Sequence, residues 1–336
     1  MNRITRTLFT LTMASHLALG ACAPSTAGAA SAPGDTPAAQ PAASVEGQAA
    51  SSWEWKTHTG PAGTRRYRLF VPAGYDASRP APLVVMLHGC TQDPDDFARG
   101  TRFNEHAQRA GALVAYPEQL ATHNPQKCWT WFDRAHQAAD AGEPAIVAGI
   151  TREVMASHSV DPARVYIGGV SAGGAMAVNT AAAYPRLYAA VGVHSGIPWG
   201  AAANVTEALG IMRTGPADDA PLVNAARALL ASGGRESIPV IVFHGAADAV
   251  VNPLNGRRLA SQWGVAAGAK DFLRHPSTEN GLAYTRDVYG PLAEMWMVEG
   301  LGHAWSGGSA EGTYTDPRGP DATREMMRFF LDHTLP

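Results

Sequence analysis

Short apolar runs separated by polar, glycine-containing segments recur from about residue 51 to the end of the chain. Trp53–Thr57 and Tyr67–Val71 read as strands on either side of a Gly60-Pro61-Ala62-Gly63 turn. Leu83–Leu87 is continuously apolar, as a strand covered on both faces of a parallel sheet must be. Further strands are predicted at Ala112–Tyr116, Val165–Gly168, Ala189–Val193, Ile238–Phe243 and Met295–Val298. Helical patterning covers Phe97–Arg109, Ile146–Ser157, Ala172–Ala183, the region of Pro253–Trp263, and Asp321–His333. Strands alternating with helices predict an α/β fold, a doubly wound and mostly parallel sheet with an antiparallel hairpin at its start. In such sheets the chemistry lies beyond the carboxyl ends of the strands. Residues 194–237 receive no element and are expected to help shape a pocket.

The first fifty residues follow another pattern. Arg3 and Arg6 precede an apolar stretch from about Leu8 to Ala21, the layout of an export signal and too short and interrupted for a membrane span. It ends in Leu19-Gly20-Ala21-Cys22, similar to a bacterial lipobox, in which the cysteine is lipidated; ordinary cleavage nearby is the alternative. Residues 22–50 are almost all Ala, Pro, Ser, Gly and Thr, too poor in apolar bulk to offset ordering entropy, and read as a flexible tether. The expected organisation is a signal peptide at 1–21, a tether at 22–50 and one folded domain at 51–336, in an exported, envelope-anchored or secreted protein. Any membrane contact would run through the lipid on Cys22.

Composition narrows the function. Of 336 residues, 46% are hydrophobic and 16% charged, so a sizeable core is available. The net charge is −3 and the basic residues are scattered, which argues against nucleic acid as a partner. Three cysteines exclude a disulfide-dense scaffold and leave little for a zinc cluster.

Directly after the strand at Val165–Gly168 stands Gly169-Val170-Ser171-Ala172-Gly173. This Gly-x-Ser-x-Gly elbow turns so sharply between strand and helix that side chains two before and two after the serine would collide. The turn lifts the Ser171 hydroxyl clear of the sheet. A serine needs a base to become a nucleophile, and in this architecture the acid and then the histidine follow it in the chain. His275 lies in a polar segment and His333 near the end of the terminal helix, whereas His303 sits in a glycine-flanked loop just past the last strand. Asp218, Asp219, Asp271 and Asp287 lie in polar or loop surroundings; Asp248 follows the strand ending at Phe243 and is the acid placed to orient His303. The competing role for Asp248 is to cap the next helix.

The strand Leu83–Leu87 runs into His88-Gly89-Cys90-Thr91, where the Cys90 amide could join the Ala172 amide as an oxyanion hole, with His88 as a packed support. With Cys22 taken by lipid, Cys90 and Cys128 are expected to pair, as leftover cysteines of exported proteins do; two free buried thiols are the alternative. That bridge would set Trp129 and Trp131 beside the oxyanion loop as substrate-binding walls. Trp305 is a further candidate wall, with the core as its competing place.

Together His88-Gly89-Cys90-Thr91-Gln92, Cys128-Trp129-x-Trp131-Phe132, Gly169-x-Ser171-Ala172-Gly173-Gly174, His244-Gly245-x-x-Asp248 and Gly302-His303-Ala304-Trp305-Ser306-Gly307-Gly308 resemble the polyhydroxybutyrate (PHB) depolymerase family of esterases, with its feruloyl and acetylxylan esterase relatives. The resemblance implies an α/β-hydrolase fold, a Ser171/Asp248/His303 triad and carboxylic-ester substrates. The expected enzyme is a serine esterase acting through an acyl-enzyme on hydroxyalkanoate polyester or its oligomers, without metal or organic cofactor. Feruloyl or acetylxylan esters are the alternative substrates. Members that erode crystalline polymer carry a separate polymer-binding domain after the catalytic one, whereas this sequence closes at Pro336, so oligomers or smaller esters are expected first. A peptidase with the same triad, and a non-catalytic binding module, are the other classes weighed; the second predicts loss of a triad residue or oxyanion glycine, and each is present.

Overall fold

The computed structural model describes residues 50–336. The expected leader, Cys22 and nearly all of the tether lie outside the described residues. In chain order the strands are β1 Ser52–Gly60, β2 Gly63–Val71, β3 Ala81–Leu87, β4 Leu113–Pro117, β5 Val160–Val170, β6 Ala190–His194, β7 Val240–Gly245, β8 Leu273–Glu279, β9 Leu282–Tyr289 and β10 Ala293–Val298. The helices are α1 Pro94–Thr101, α2 Phe103–Ala110, α3 Gly142–Ser157, α4 Ala172–Ala183, α5 Val205–Thr214, α6 Ala220–Gly233, α7 Leu254–Ala266 and α8 Ala322–Leu331.

These ten strands form one sheet in the order β1-β2-β4-β3-β5-β6-β7-β10-β9-β8, and Trp305–Ser306 pairs with Thr315–Asp316 in a separate two-stranded sheet. From β4 to β10 neighbours are parallel, and an antiparallel hairpin flanks them on each edge. Because the central strands are covered on both faces, they must be apolar throughout, and every residue of β3 is buried. Leu83, Val85 and Leu87 face one core with α3, α4 and α7; Val84 and Met86 face the other, with Phe97, Phe103, Met326 and Phe330.

Two departures from the sequence reading have local causes. Helix Phe97–Arg109 is two helices, because Arg102 adopts a left-handed conformation (φ 55°) between them. The second edge hairpin, β8–β9, was not expected. It turns on Asn280 and Gly281, both at positive φ, the pair that a tight hairpin favours. His275 is therefore an exposed residue within an edge strand, not in a loop beyond a strand's carboxyl end.

Helix α8 secures the sheet behind the site. The Phe330 ring stacks on Tyr166 with centroids 5.1 Å apart and is fully buried. Phe330→Ala leaves a cavity there and should cost about 3–5 kcal/mol, read as a lower urea midpoint at unchanged denaturant slope; a midpoint equal to wild type would contradict this packing.

Candidate active site

Ser171 lies between β5 and α4 at φ 55°, ψ −123°, a conformation an L-residue adopts only at a cost. The backbone around it explains the two flanking glycines. A Cβ on Gly169 would fall 2.5 Å from the Leu87 carbonyl oxygen and 2.7 Å from the Gly173 carbonyl carbon. One on Gly173 would collide with the carbonyls of Leu87 and His88. The turn thus closes only without side chains at these positions. It leaves Ser171 at the N-terminus of α4, where the helix dipole favours negative charge.

His303 reaches the same place from the loop after β10. Its Nδ1 donates to Asp248 Oδ2 at 2.7 Å. With that nitrogen carrying the proton, Nε2 holds the lone pair. Ser171 and His303 line one small pocket of ≈ 150 Å³ with Gly89, Cys90, Gln92, Val170, Met212, Val250 and Tyr314. Ser171 Oγ has no hydrogen-bond partner among the described residues; in unliganded sites the bond to the base commonly forms only once substrate is bound.

Asp248 sits in the loop after β7 and is buried. Its Oδ1 accepts the amides of Val250 and Val251, each at 2.9 Å, and His244 Nε2 stands 3.3 Å from Oδ2. Burial alone would push this carboxyl up. Hydrogen bonds from His244 and His303, the His303 charge and the Val251 amide overturn that and hold it well below the usual carboxylate range. Asp248 does not cap the next helix, which has Pro253 at its N-cap and no side-chain cap; it organises its own loop, and that loop aims the carboxylate at His303.

The loop after β3 forms the facing wall. Gly89 donates its amide to Gln92 Oε1 at 2.9 Å, and a Cβ on Gly89 would stand 3.6 Å from that of Ser171. Gln92 Nε2 in turn donates to the Thr313 carbonyl at 3.0 Å, joining this loop to the one that carries Tyr314. Cys90 is disulfide-bonded to Cys128. Among the described residues neither the Cys90 nor the Ala172 amide finds an acceptor.

The structure corrects the three tryptophans. Trp129, Trp131 and Trp305 are 0%, 5% and 1% exposed, and none lines the pocket. Trp129 packs beneath the β3 loop and donates from Nε1 to the His88 carbonyl at 3.0 Å. Trp131 lies in the same core, and its carbonyl accepts from Asn179 of α4 at 2.8 Å. Trp305 stacks on His194 and donates to Thr323 Oγ1 at 3.1 Å. Burying these large rings supports the loops from below, a stronger demand than presenting them to substrate. The residues that do line the pocket and were not anticipated are Gln92, Met212, Val250 and Tyr314.

Two buried histidines hold the site in shape. His88 Nε2 accepts the Gln119 amide at 3.0 Å, so its Nδ1 donates to the Gly89 carbonyl at 2.7 Å. His194 Nε2 accepts the Ser306 amide at 3.1 Å, three residues beyond His303. Burial lowers the pKa of His88 to about 4, despite the opposing hydrogen bond to Gly89, and puts His194 well below the ordinary value. Both are neutral in the folded state, whereas the unfolded chain takes up protons below about pH 6.5. Stability from His88 is therefore complete above that pH and lost as pH falls towards 4, about 3 kcal/mol in all. Urea midpoints should drop between pH 7 and 4.5, and His88→Gln should be less stable at pH 7 but flatter across this range. Equal wild-type midpoints at both pH values would contradict it.

Comparison with known proteins agrees with this geometry. Residues 65–275 match the family described as esterase PHB depolymerase. The chain is 31% identical over 255 residues to poly(3-hydroxyalkanoate) depolymerase C of Paucimonas lemoignei, covering 74% of this chain but 58% of that protein's length. It is likewise 31% identical over 248 residues to feruloyl esterase B of Neurospora crassa, covering 68% of this chain and 79% of that one. Among solved structures, acetyl xylan esterase from Aspergillus awamori superposes with a TM-score of 0.67 at 20% identity, covering 83% of this chain and 98% of its own. The fold is that of the α/β-hydrolases, and the chain belongs to the PHB depolymerase family of esterases.

Proposed function

We propose that this protein is a serine carboxylic-ester hydrolase that works through an acyl-enzyme, with Ser171 as nucleophile, His303 as base and Asp248 as its orienting carboxylate. The observation that carries the reading is that Ser171, on its strained turn, shares one pocket with a His303 whose Nδ1 is bonded to buried Asp248.

Ser171 Oγ attacks the ester carbonyl carbon as His303 Nε2 takes its proton. The carbonyl π electrons move to oxygen, and the Cys90 and Ala172 amides donate to the resulting oxyanion. Asp248 remains ionised and stabilises the imidazolium. Collapse of the intermediate expels the alkoxide, which takes the proton from His303 Nε2 and leaves as the alcohol. Water then gives a proton to His303 and attacks the acyl carbon. The second collapse returns that proton to Ser171 Oγ and frees the acid.

The preferred substrates are hydroxyalkanoate polyester or its oligomers, in keeping with the depolymerase relative, of which this chain spans 58%. Feruloyl or acetylxylan esters are the second reading, favoured by a feruloyl esterase relative matched over 79% of its length. Export, with Cys22 lipidated and residues 22–50 as a tether, completes the proposal, and the Cys90–Cys128 bridge suits an oxidising compartment.

Ser171→Ala should reduce turnover of p-nitrophenyl acetate by about four orders of magnitude or more without altering the thermal midpoint. Turnover retained by the variant would remove the mechanism. A panel of 3-hydroxybutyrate oligomers, methyl ferulate and acetylated xylan ranks the substrates. Ready release of ferulate or acetate with no hydrolysis of the oligomers would reverse the order. Cys22→Ser should move the enzyme from the membrane fraction to the soluble one, and an unchanged distribution would remove the anchor.

A further inference from the structure

Helix α5 carries an exposed apolar stripe. Its inner face is anchored: Ala208 is buried, and the Asn255 side chain donates to the Ile211 carbonyl at 2.9 Å. The Asn252 amide donates to the Met212 carbonyl at 2.7 Å, which ties the end of α5 to the loop of Asp248. Val205, Leu209 and Met212 are four and three residues apart and so form one stripe, whose inner end, Met212, packs against the core beside Ala208. Val205 and Leu209 are 54% and 56% exposed, while Met212 lines the pocket with Ser171 and His303. The stripe therefore leads out of the pocket along the helix.

The mouth continues it. Val250 and Tyr314, 50% and 48% exposed, line the same pocket. Two of the eight large apolar side chains that stand exposed among the described residues thus line the pocket, and two more, Leu209 and Val205, stand one and two turns along α5 from Met212, where scattered ones would need no explanation. Tyr314 is held there at some cost. Its φ is 52°, that of Thr91 is 66°, and their hydroxyls are 3.3 Å apart across the mouth. The charged groups of α5 are turned to local uses: Glu207 accepts the Ala203 amide and the Asn204 side chain, and Arg213 Nε donates back to the Leu209 carbonyl.

We propose that Val205, Leu209 and Met212, with Val250 and Tyr314, form a track that takes the apolar chain flanking the scissile ester, an extended hydroxyalkanoate segment. The inference rests on the esterase reading above and narrows its substrate class. Continuity with the pocket argues for substrate as the occupant. Its chemistry argues for polyester: the track offers aliphatic contact and few free donors, which suits a chain of methyl, methylene and ester groups. A polysaccharide would bring hydroxyls that find no partners there.

The test uses the full chain carrying Val205→Ser and Leu209→Ser together, both on exposed helix positions outside the pocket. kcat/KM is measured for p-nitrophenyl acetate and for 3-hydroxybutyrate oligomers from dimer to pentamer. In wild type the value should rise with oligomer length. The variant should lose roughly fivefold or more on the pentamer while staying within about twofold on p-nitrophenyl acetate. An unchanged pentamer-to-dimer ratio in the variant, or no length dependence in wild type, overturns the track. So does wild-type self-association by sedimentation that the variant abolishes, because the stripe would then be covered by a second copy. Failure of the underlying reading looks different: wild type would not hydrolyse p-nitrophenyl acetate at all.

Discussion

The Asp248 carboxylate stays ionised inside the protein because donors surround it: two amides of its own loop on one oxygen and His303 on the other, with His244 Nε2, which also bonds the Val251 carbonyl, 3.3 Å away. A buried carboxylate without these partners would protonate or escape to water. The same contacts bring the loop after β7 and the loop after β10 to one point. The imidazole of His303 is thereby fixed in one tautomer and one orientation, with its free nitrogen in the pocket wall. Ser171 needs no such tether, because its place is set by backbone geometry at Gly169 and Gly173.

Around that centre, residues that look chemical are used as structure. His88 and His194 end strands β3 and β6 and each accepts a distant amide through Nε2, from Gln119 and Ser306. Neutral imidazole is well suited to this, offering one donor and one acceptor where burial forbids a charge. Trp129 and Trp305 serve the same loops from beneath, filling volume while their ring nitrogens find a carbonyl and a hydroxyl. The energetic demand of a dry, rigid support therefore claims the aromatic residues nearest the motifs, and the apolar lining of the pocket is left to Met212, Val250 and Tyr314.

How much was legible in the sequence follows from how local each signal is. The elbow at Ser171 could be read directly, because its glycines and its strand–helix context lie within a few residues. Asp248 and His303 were legible from their positions after strands, since strand ends in a parallel sheet share one edge. The parallel core was equally clear, because burial on both faces forces apolar runs. Helix α5 and the β8–β9 hairpin went unread although each carries a local mark: Asn204 and Glu207 form a reciprocal cap, and Asn280-Gly281 is a hairpin turn. Their mixed, half-exposed patterns lacked the periodicity that identified the other elements. The pocket rim could not be read at all. Gln92, Met212, Val250 and Tyr314 lie on four separate segments and meet only through the tertiary fold.

Active-site labelling tests the central claim most directly. The full-length protein is treated with a p-nitrophenyl phosphonate ester, and the adduct is followed by intact mass and peptide mapping. The account predicts one adduct per chain, on Ser171, formed at least about a hundredfold more slowly in Asp248→Asn protein that is still folded by circular dichroism. An adduct on another residue, or wild-type labelling speed in the Asp248→Asn protein, would contradict it.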